Sequence, residues 1–121
     1  MRSGRFPRMR RVNSIIWEVL ADEVHHLSDP RLGSVTITGV DTSPDLRRAV
    51  VFYSVADLAR LEEVGDGLNS AAGRLQGRLA SQVRLKYTPR LDFQPDQGVL
   101  GGQKIERLLR KAANRDPGGE E

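Results

Sequence analysis

The fold of this chain is decided by one stretch, Asp29-Pro30-Arg31-Leu32-Gly33-Ser34-Val35-Thr36-Ile37-Thr38-Gly39-Val40. Proline cannot continue a helix, and it moves the residue before it, Asp29, out of the helical region. Gly33 then permits a backbone conformation that other residues resist. The β-branched residues that follow favour an extended strand. The stretch therefore predicts a sharp helix end followed directly by a β-strand.

A second strand follows this first one after a short turn. The turn cluster at 41–45 contains Pro44 and is typical of a hairpin connection. In the next arm, residues 46–55, apolar residues alternate along the chain, which predicts one face covered by helices. The alternating apolar residues are Ala49, Val51, Tyr53 and Val55. Val50 and Phe52 fall on the opposite face, so that face is predicted to be partly apolar as well.

A helix is predicted before the hairpin, from about residue 7 to 27. Pro7 suits the first turn of a helix, and apolar residues recur after it at spacings of three and four. The opposite face is predicted to be polar and carries Arg10, Asn13, Glu18, Asp22 and His25. Trp17 lies beside the apolar stripe and is predicted to be a partly buried packing residue.

The segment after the hairpin keeps helical spacing from about 58 to 84 but contains four glycines. Asp57 is a plausible N-cap for it. Each glycine inside a helix costs about 0.5–1 kcal/mol relative to alanine. Small side chains at Ala71-Ala72-Gly73 allow a bend. We therefore predict two helices, 58–71 and 74–84, joined at a kink.

The rest of the chain supplies a third strand and an extension. Leu91 and Phe93 share a face of a short strand at 91–94, and a last helix is predicted at about 103–113. The fold class is α+β, in the order α-β-β-α-kink-α-β, with helices packed on one face of a three-stranded sheet. The predicted divisions are a basic arm at 1–6, a domain at 7–95, a loop and helix at 96–113, and a flexible tail at 114–121.

The charge is strongly segregated although the net charge of the 121 residues is only +3. Residues 1–11 carry +5, residues 12–66 carry −6, residues 67–115 carry +7 and the last six residues carry −3. Basic blocks of this kind attract phosphate backbones, so they favour nucleic-acid contact. Arginines that merely solvate helix faces are the simpler alternative for each residue taken singly.

Four features, in this order and at these separations, resemble the ribosome-binding factor A family. They are Asp29-Pro30-Arg31-Leu32-Gly33 before the hairpin, the hairpin turn Ser43-Pro44-Asp45-Leu46 with Ala49 just inside the second strand, Ala71-Ala72-Gly73, and Pro89 before the last strand. The resemblance covers about residues 5–95 and implies a type II KH-like fold. In that family an Ala-x-Gly kink, matched here by Ala71 and Gly73, replaces the Gly-x-x-Gly loop of RNA-binding KH domains.

The resemblance implies a non-catalytic assembly factor that binds free small ribosomal subunits late in their maturation. It also implies help with processing of the 16S rRNA precursor near its 5′ end. The expected partners are the small subunit and the 5′-terminal helix region of 16S rRNA, with the chain a monomer. No export signal or apolar run of about 20 residues is present, so the cytoplasm is the expected location. No cofactor is expected.

The candidate RNA-binding residues are basic side chains together with the kink. They are Arg8, Arg10, Arg11, Ala71, Gly73, Arg74, Arg78, Arg84, Lys86 and Arg90. Arg74 and Arg78 stand four residues apart on one face of a helix. For Ala71 and Gly73 the alternative is a packing bend that contacts no ligand.

No catalytic residue and no metal ligand is predicted, and the chain is not expected to be an enzyme. It has no cysteine, Walker loop or nucleophile elbow. Its two histidines, His25 and His26, are adjacent and point apart on a helix, which disfavours a shared metal site. A small hydrolase using either histidine is one rival interpretation. Another is a general RNA-binding or protein-interaction module whose outer sheet face, with Val50 and Phe52, docks a partner.

Overall fold

The computed structural model describes residues 7–101 and Arg110. The helices and strands are α1 (Pro7–Glu23), β1 (Val35–Thr42), β2 (Arg48–Val55), α2 (Leu61–Gln82), β3 (Arg90–Pro95) and α3 (Gln97–Leu100). Short 3-10 turns occur at Val24–His26, Pro30–Leu32 and Leu58–Arg60. The basic arm and the tail lie outside the described residues, as does the last predicted helix except for Arg110. Within the described part of the chain, no helix is long and apolar enough to cross a membrane.

The three strands form one sheet in the order β1-β2-β3, and the predicted α+β class is confirmed. The β1–β2 pair is antiparallel, and the β2–β3 pair is parallel, with α2 making the crossover. The residues of β2 predicted to face the helices are all buried. Ile16 and Leu20 of α1 and Leu68 and Leu75 of α2 are completely buried against that face. Burial of this apolar face is the main force that holds helices and sheet together.

A β-bulge in β1 changes which residues face the core. The pairing shifts between Ile37 and Gly39, so Thr38 has no partner in β2. Before the bulge Val35 and Ile37 are buried, and after it Val40 and Thr42 are buried. One extra residue reverses the two-residue alternation, which is how a bulge keeps both halves of a strand against one core.

The stretch at 29–33 forms a capped 3-10 turn. The carboxylate of Asp29 accepts a hydrogen bond from the Arg31 backbone N–H at 2.9 Å and forms an ion pair with its guanidinium at 2.6 Å. These contacts hold the pKa of Asp29 below its usual value. The predicted role of Gly33 is wrong, because its φ of −63° and ψ of −30° are ordinary helical values. Pro30 and the Asp29 cap make the turn without help from glycine.

The segment predicted to contain two helices is a single helix, α2, of 22 residues. The prediction of two helices separated at Ala71-Ala72-Gly73 is therefore wrong. The backbone remains helical through Gly73, because burial of the stripe from Leu61 to Leu79 outweighs the cost of four glycines. Asp57 does act as a cap, although for the 3-10 turn before α2, where its carboxylate accepts from the Ala59 N–H.

Amide and indole side chains of the helices bind the backbone of both outer strands. Asn13 Oδ1 accepts from the Thr42 N–H at 2.9 Å, and Trp17 Nε1 donates to the Ile37 carbonyl at 2.7 Å. Gln76 Nε2 donates to the Pro89 carbonyl at 2.7 Å, and its Oε1 accepts from the Leu91 N–H at 3.3 Å. Asn13 is buried, so its predicted place on the polar face of α1 is wrong.

Candidate RNA-binding surface

Three segments that are distant in sequence enclose a cavity of about 690 Å³. The start of α1, the hairpin turn and the loop between α2 and β3 each contribute residues. Its lining is Arg8, Met9, Val12, Pro44, Asp45, Leu46, Arg47, Arg84, Leu85, Lys86 and Tyr87. We call this the arginine cavity. Four cationic side chains line it together with apolar ones, a combination that attracts a phosphate group carrying an apolar or aromatic part.

The aromatic side chain of the arginine cavity is Tyr87, which is 37% exposed. The guanidinium carbon of Arg47 lies 4.1 Å from the centre of its ring, and Lys86 Nζ lies 5.6 Å from that centre. Both distances are typical of cation–π contacts. The ring and the guanidinium over it therefore form one platform that lines the cavity.

The hairpin turn that carries Arg47 is held in an uncommon conformation. Leu46 has a φ of +62°, in the left-handed region, which costs about 1–2 kcal/mol for a residue other than glycine. The Asp45 carboxylate offsets this by accepting from Ser43 Oγ at 2.7 Å and from the Arg47 N–H at 3.1 Å. The hydroxyl first, and then the backbone N–H, lower the pKa of Asp45. The turn thus fixes Arg47 beside Tyr87.

A second cavity of about 580 Å³ adjoins the first and shares Arg47 with it. It lies at β3 and also contains Arg48 and Arg90. Arg48 forms an ion pair with Asp92, and this contact is the main cause of the lowered pKa of that carboxyl. Arg47 and Arg90 therefore supply the net positive charge of the second cavity.

The pair on α2, Arg74 and Arg78, lies apart from both cavities and is partly engaged within the domain. Arg78 Nη1 lies 3.4 Å from Oε1 of Glu23, which is only 7% exposed. The other carboxylate oxygen of Glu23 accepts from Gln82 Nε2 at 2.5 Å. The charge of Arg74 contributes to the lowered pKa of Asp29, after the larger effect of the Arg31 contacts. Part of the charge on this pair therefore stabilises the fold.

The two kink residues differ in their surroundings. Ala71 is 5% exposed and packs in the core, so its side chain is not available to a ligand. Gly73 is exposed, and apart from its chain neighbours and the adjacent helix backbone, no described atom lies within 4 Å of the position that a Cβ would take. Gly77, one turn later, is equally open. Packing gives no reason for either glycine, and a bare helix backbone permits close approach of a ligand.

The structure brings together only some of the predicted residues. Arg8, Arg84 and Lys86 share the arginine cavity, and Arg90 lies in the second cavity. Arg10 and Arg11 are exposed on α1 but do not belong to the described lining of either cavity.

Sequence reasoning misses Arg47 and Tyr87. It places Arg47 in the second strand and treats Tyr87 as part of the connection to the third. An aromatic residue between Lys86 and Arg90 follows the interleaved pattern of nucleic-acid-binding segments, and that signal could have identified Tyr87.

Among the described residues, no group of three histidine or acidic side chains is placed to hold a metal ion. His26 Nδ1 is 2.9 Å from the Asp22 carbonyl and 3.7 Å from the carboxylate of the same residue. Both side chains are exposed, as is His25, so these groups do not enclose a reaction site.

Clustered arginines beside an exposed aromatic ring, on a small α+β domain, are typical of the class of proteins that bind nucleic acid. A family model described as "Ribosome-binding factor A" matches residues 8–109. A relative of that name from Rubrobacter xylanophilus is 48% identical, over 93% of this chain and 93% of its own length. Another from Geobacter sulfurreducens is 38% identical, over 88% and 92%. This chain belongs to the ribosome-binding factor A family.

Solved structures of the family agree with this fold. The crystal structure of ribosome-binding factor A from Thermus thermophilus has a TM-score of 0.67 and 31% identity, covering 72% of this chain and 94% of that one. The solution structure of a putative ribosome binding factor A from Thermotoga maritima has a TM-score of 0.69 and 32% identity, covering 76% and 90%. A Thermus thermophilus homology model fitted into a cryo-EM map of a 30S complex has a TM-score of 0.57 and 31% identity, covering 70% and 91%.

Proposed function

We propose that this chain binds free small ribosomal subunits through 16S rRNA and assists the late steps of their maturation. The observation that carries the proposal is the convergence of Arg8, Arg84 and Lys86 with Arg47 in one cavity. A family relative fitted into a map of a 30S complex supports the choice of partner. Binding occurs in the cytoplasm, where subunits mature, and the chain acts as a monomer without catalysing a reaction.

The finer part of the proposal is help with processing of the 16S rRNA precursor at its 5′ end. A rigid domain that holds one rRNA conformation can expose a cleavage site to a nuclease without any catalytic group of its own. The domain at 7–95 carries this binding, because every described cation of the two cavities falls within it.

Sedimentation of the purified chain with free 30S subunits and with assembled 70S ribosomes tests the proposal. We expect co-sedimentation with free subunits at low salt and its loss at high salt, because phosphate contacts release counterions. Salt-insensitive binding would instead favour a protein-interaction module that uses an apolar surface. Binding to 70S ribosomes alone, or to neither particle, contradicts the proposal.

Processing is tested separately in cells that lack the native gene. We expect precursor 16S rRNA with an extended 5′ end to accumulate, and the wild-type chain to reverse this. A variant with His25→Ala and His26→Ala should reverse it equally well. Failure of that variant alone would favour the hydrolase interpretation, and normal processing in the deletion strain would contradict the role in maturation.

A further inference from the structure

We propose that the arginine cavity receives one unpaired nucleotide of a single-stranded RNA segment, with its base stacked on the Tyr87–Arg47 platform. Arg8, Arg84 and Lys86 then contact the phosphates on either side of that nucleotide. The inference rests on the proposed function, since it names the form of RNA that this surface recognises. It goes further because it assigns base contact to Tyr87 and Arg47.

The exposure of Tyr87 is the first argument for a base contact. Trp17, at 40% exposure, is another exposed aromatic residue of the described chain, but its indole N–H binds the Ile37 carbonyl and so holds α1 to β1. Tyr87 instead lies at a cavity, at 37% exposure, with cations on its ring. Aromatic rings and arginine planes are the surfaces on which unstacked RNA bases are held.

The size and shape of the cavity are the second argument. A volume of about 690 Å³ falls within the range of small-ligand sites, roughly 300–1,000 Å³, and is suited to one nucleotide. An RNA duplex keeps its base faces stacked inside and offers a cavity only its backbone, its 2′-hydroxyls and its base edges. The ring platform could not contribute to duplex binding, so an unpaired segment is the better fit.

The placement of the charges is the third argument. Arg8 comes from the start of α1, which also supplies the apolar lining residues Met9 and Val12. Arg84 and Lys86 come from the separate loop between α2 and β3. The carboxylate of Asp45 is already engaged by Ser43 and the Arg47 N–H, so its own hydrogen bonds lie within the turn. These hydrogen bonds hold Leu46 in its strained conformation, as expected where a local conformation serves a binding site.

The test uses the full chain and a labelled single-stranded oligouridine of about eight nucleotides, compared with a duplex of the same length. Fluorescence anisotropy gives the affinities. Photo-crosslinking with a halogenated uridine, followed by mass spectrometry, gives the contact residue. We expect tighter binding of the single strand and a crosslink at Tyr87.

Three kinds of variant separate stacking from charge. Tyr87→Ala should weaken oligonucleotide binding roughly 5- to 160-fold, whereas Tyr87→Phe, which keeps the ring, should bind like the wild type. Arg84→Gln with Lys86→Gln should lower the salt slope by about 0.7 for each lost phosphate contact. Arg60→Gln is the matched control, because Arg60 precedes α2, whose 22 residues span about 33 Å, and Arg84 follows the other end of that helix.

The outcomes distinguish this inference from the proposed function. A crosslink elsewhere, or unchanged binding by a folded Tyr87→Ala variant, overturns the inference even if the wild type sediments with subunits. Preferential binding of the duplex, or of an acidic peptide used as a competitor, also overturns it. If the chain binds the oligonucleotide through Tyr87 but not the subunits, the inference stands and the proposed function fails. If Tyr87→Ala does not fold, the wild-type crosslink and the Tyr87→Phe affinity decide.

Discussion

At the scale of single residues, the glycines of α2 fall into two kinds that the sequence does not distinguish. A Cβ on Gly67 would lie 3.0 Å from Leu32 Cδ2 and 3.2 Å from Arg31 Cβ, because the 3-10 turn at 30–32 packs there. A Cβ on Gly73 would meet open space in the described structure. Gly67 thus serves packing, and Gly73 is available to serve binding.

Alanine at these two positions should therefore have opposite effects on stability. Gly73→Ala should raise the free energy of unfolding by about 0.5–1 kcal/mol through helix propensity. Gly67→Ala should lower it by about 1 kcal/mol, because Leu32 is fully buried and cannot move aside. Urea denaturation measures both changes. Equal stabilisation by both substitutions would show that the side chains of the 3-10 turn move aside at little cost in free energy.

Tyr53 gives a prediction on alkaline stability. Burial, assisted by the charge of Asp66, raises the pKa of Tyr53 from 10.0 to about 12. Because the pKa is raised in the folded state, the stability due to the neutral phenol is complete below pH 10 and is lost as the pH rises towards 12. Tyr53→Phe should flatten the fall in melting temperature over this interval. An identical fall in both proteins would contradict the assignment.

At the scale of helices and strands, most elements could be predicted from the sequence, because an element with one buried face repeats apolar residues at a regular spacing. The alternation in β2 and the stripe of α2 each follow from one face packing against the core. The bulge at Thr38 and the burial of Asn13 could not be predicted in this way. Both depend on tertiary contacts between α1 and β1, and Asn13 looks like any polar surface residue of a helix. The predicted division of this segment into two helices is wrong because glycine content takes no account of the packing that keeps α2 continuous.

Gln76 should contribute more to stability than its polar character suggests. Gln76→Ala leaves the Pro89 carbonyl and the Leu91 N–H without their side-chain partner, which we expect to cost about 1–3 kcal/mol. Gln94→Ala is the control. Gln94 lies exposed on β3, the strand that contains Leu91, and its amide donates only to the Asp92 carboxylate among the described contacts. Hydrogen exchange should show faster exchange at the Leu91 amide in Gln76→Ala alone. Equal stability of the two variants would mean that water replaces the Gln76 contacts.

At the scale of the whole molecule, folding brings together basic residues from segments that are far apart in the sequence. The sequence shows that residues 1–11 and 67–115 are basic, but it does not show that Arg8 meets Arg84 and Lys86 or that Arg47 joins them. Arg47 belongs to an acidic stretch, so charge counting hides it. The candidate site was therefore predictable as a set of cations but not as a cavity, because its shape depends on three segments that meet only in the folded chain.

The two sets of basic residues should separate binding from folding. Arg84→Gln with Lys86→Gln removes exposed charges, so the protein should melt near the wild type, within about 0.5 kcal/mol of its stability, while subunit binding weakens.

Arg74→Gln with Arg78→Gln removes the cation beside the buried Glu23. We expect a loss of stability on the order of 1 kcal/mol, because Arg78 is half exposed and screened by water. Adding Glu23→Gln should restore that stability, since no buried charge then remains to be compensated. Thermal unfolding and sedimentation with 30S subunits at several salt concentrations measure the two properties independently. One outcome would contradict the assignment: the variant with both α2 arginines replaced loses binding at unchanged stability, while the variant with Arg84 and Lys86 replaced binds normally. The principal rRNA contact would then lie on α2 beside Gly73 and not at the arginine cavity.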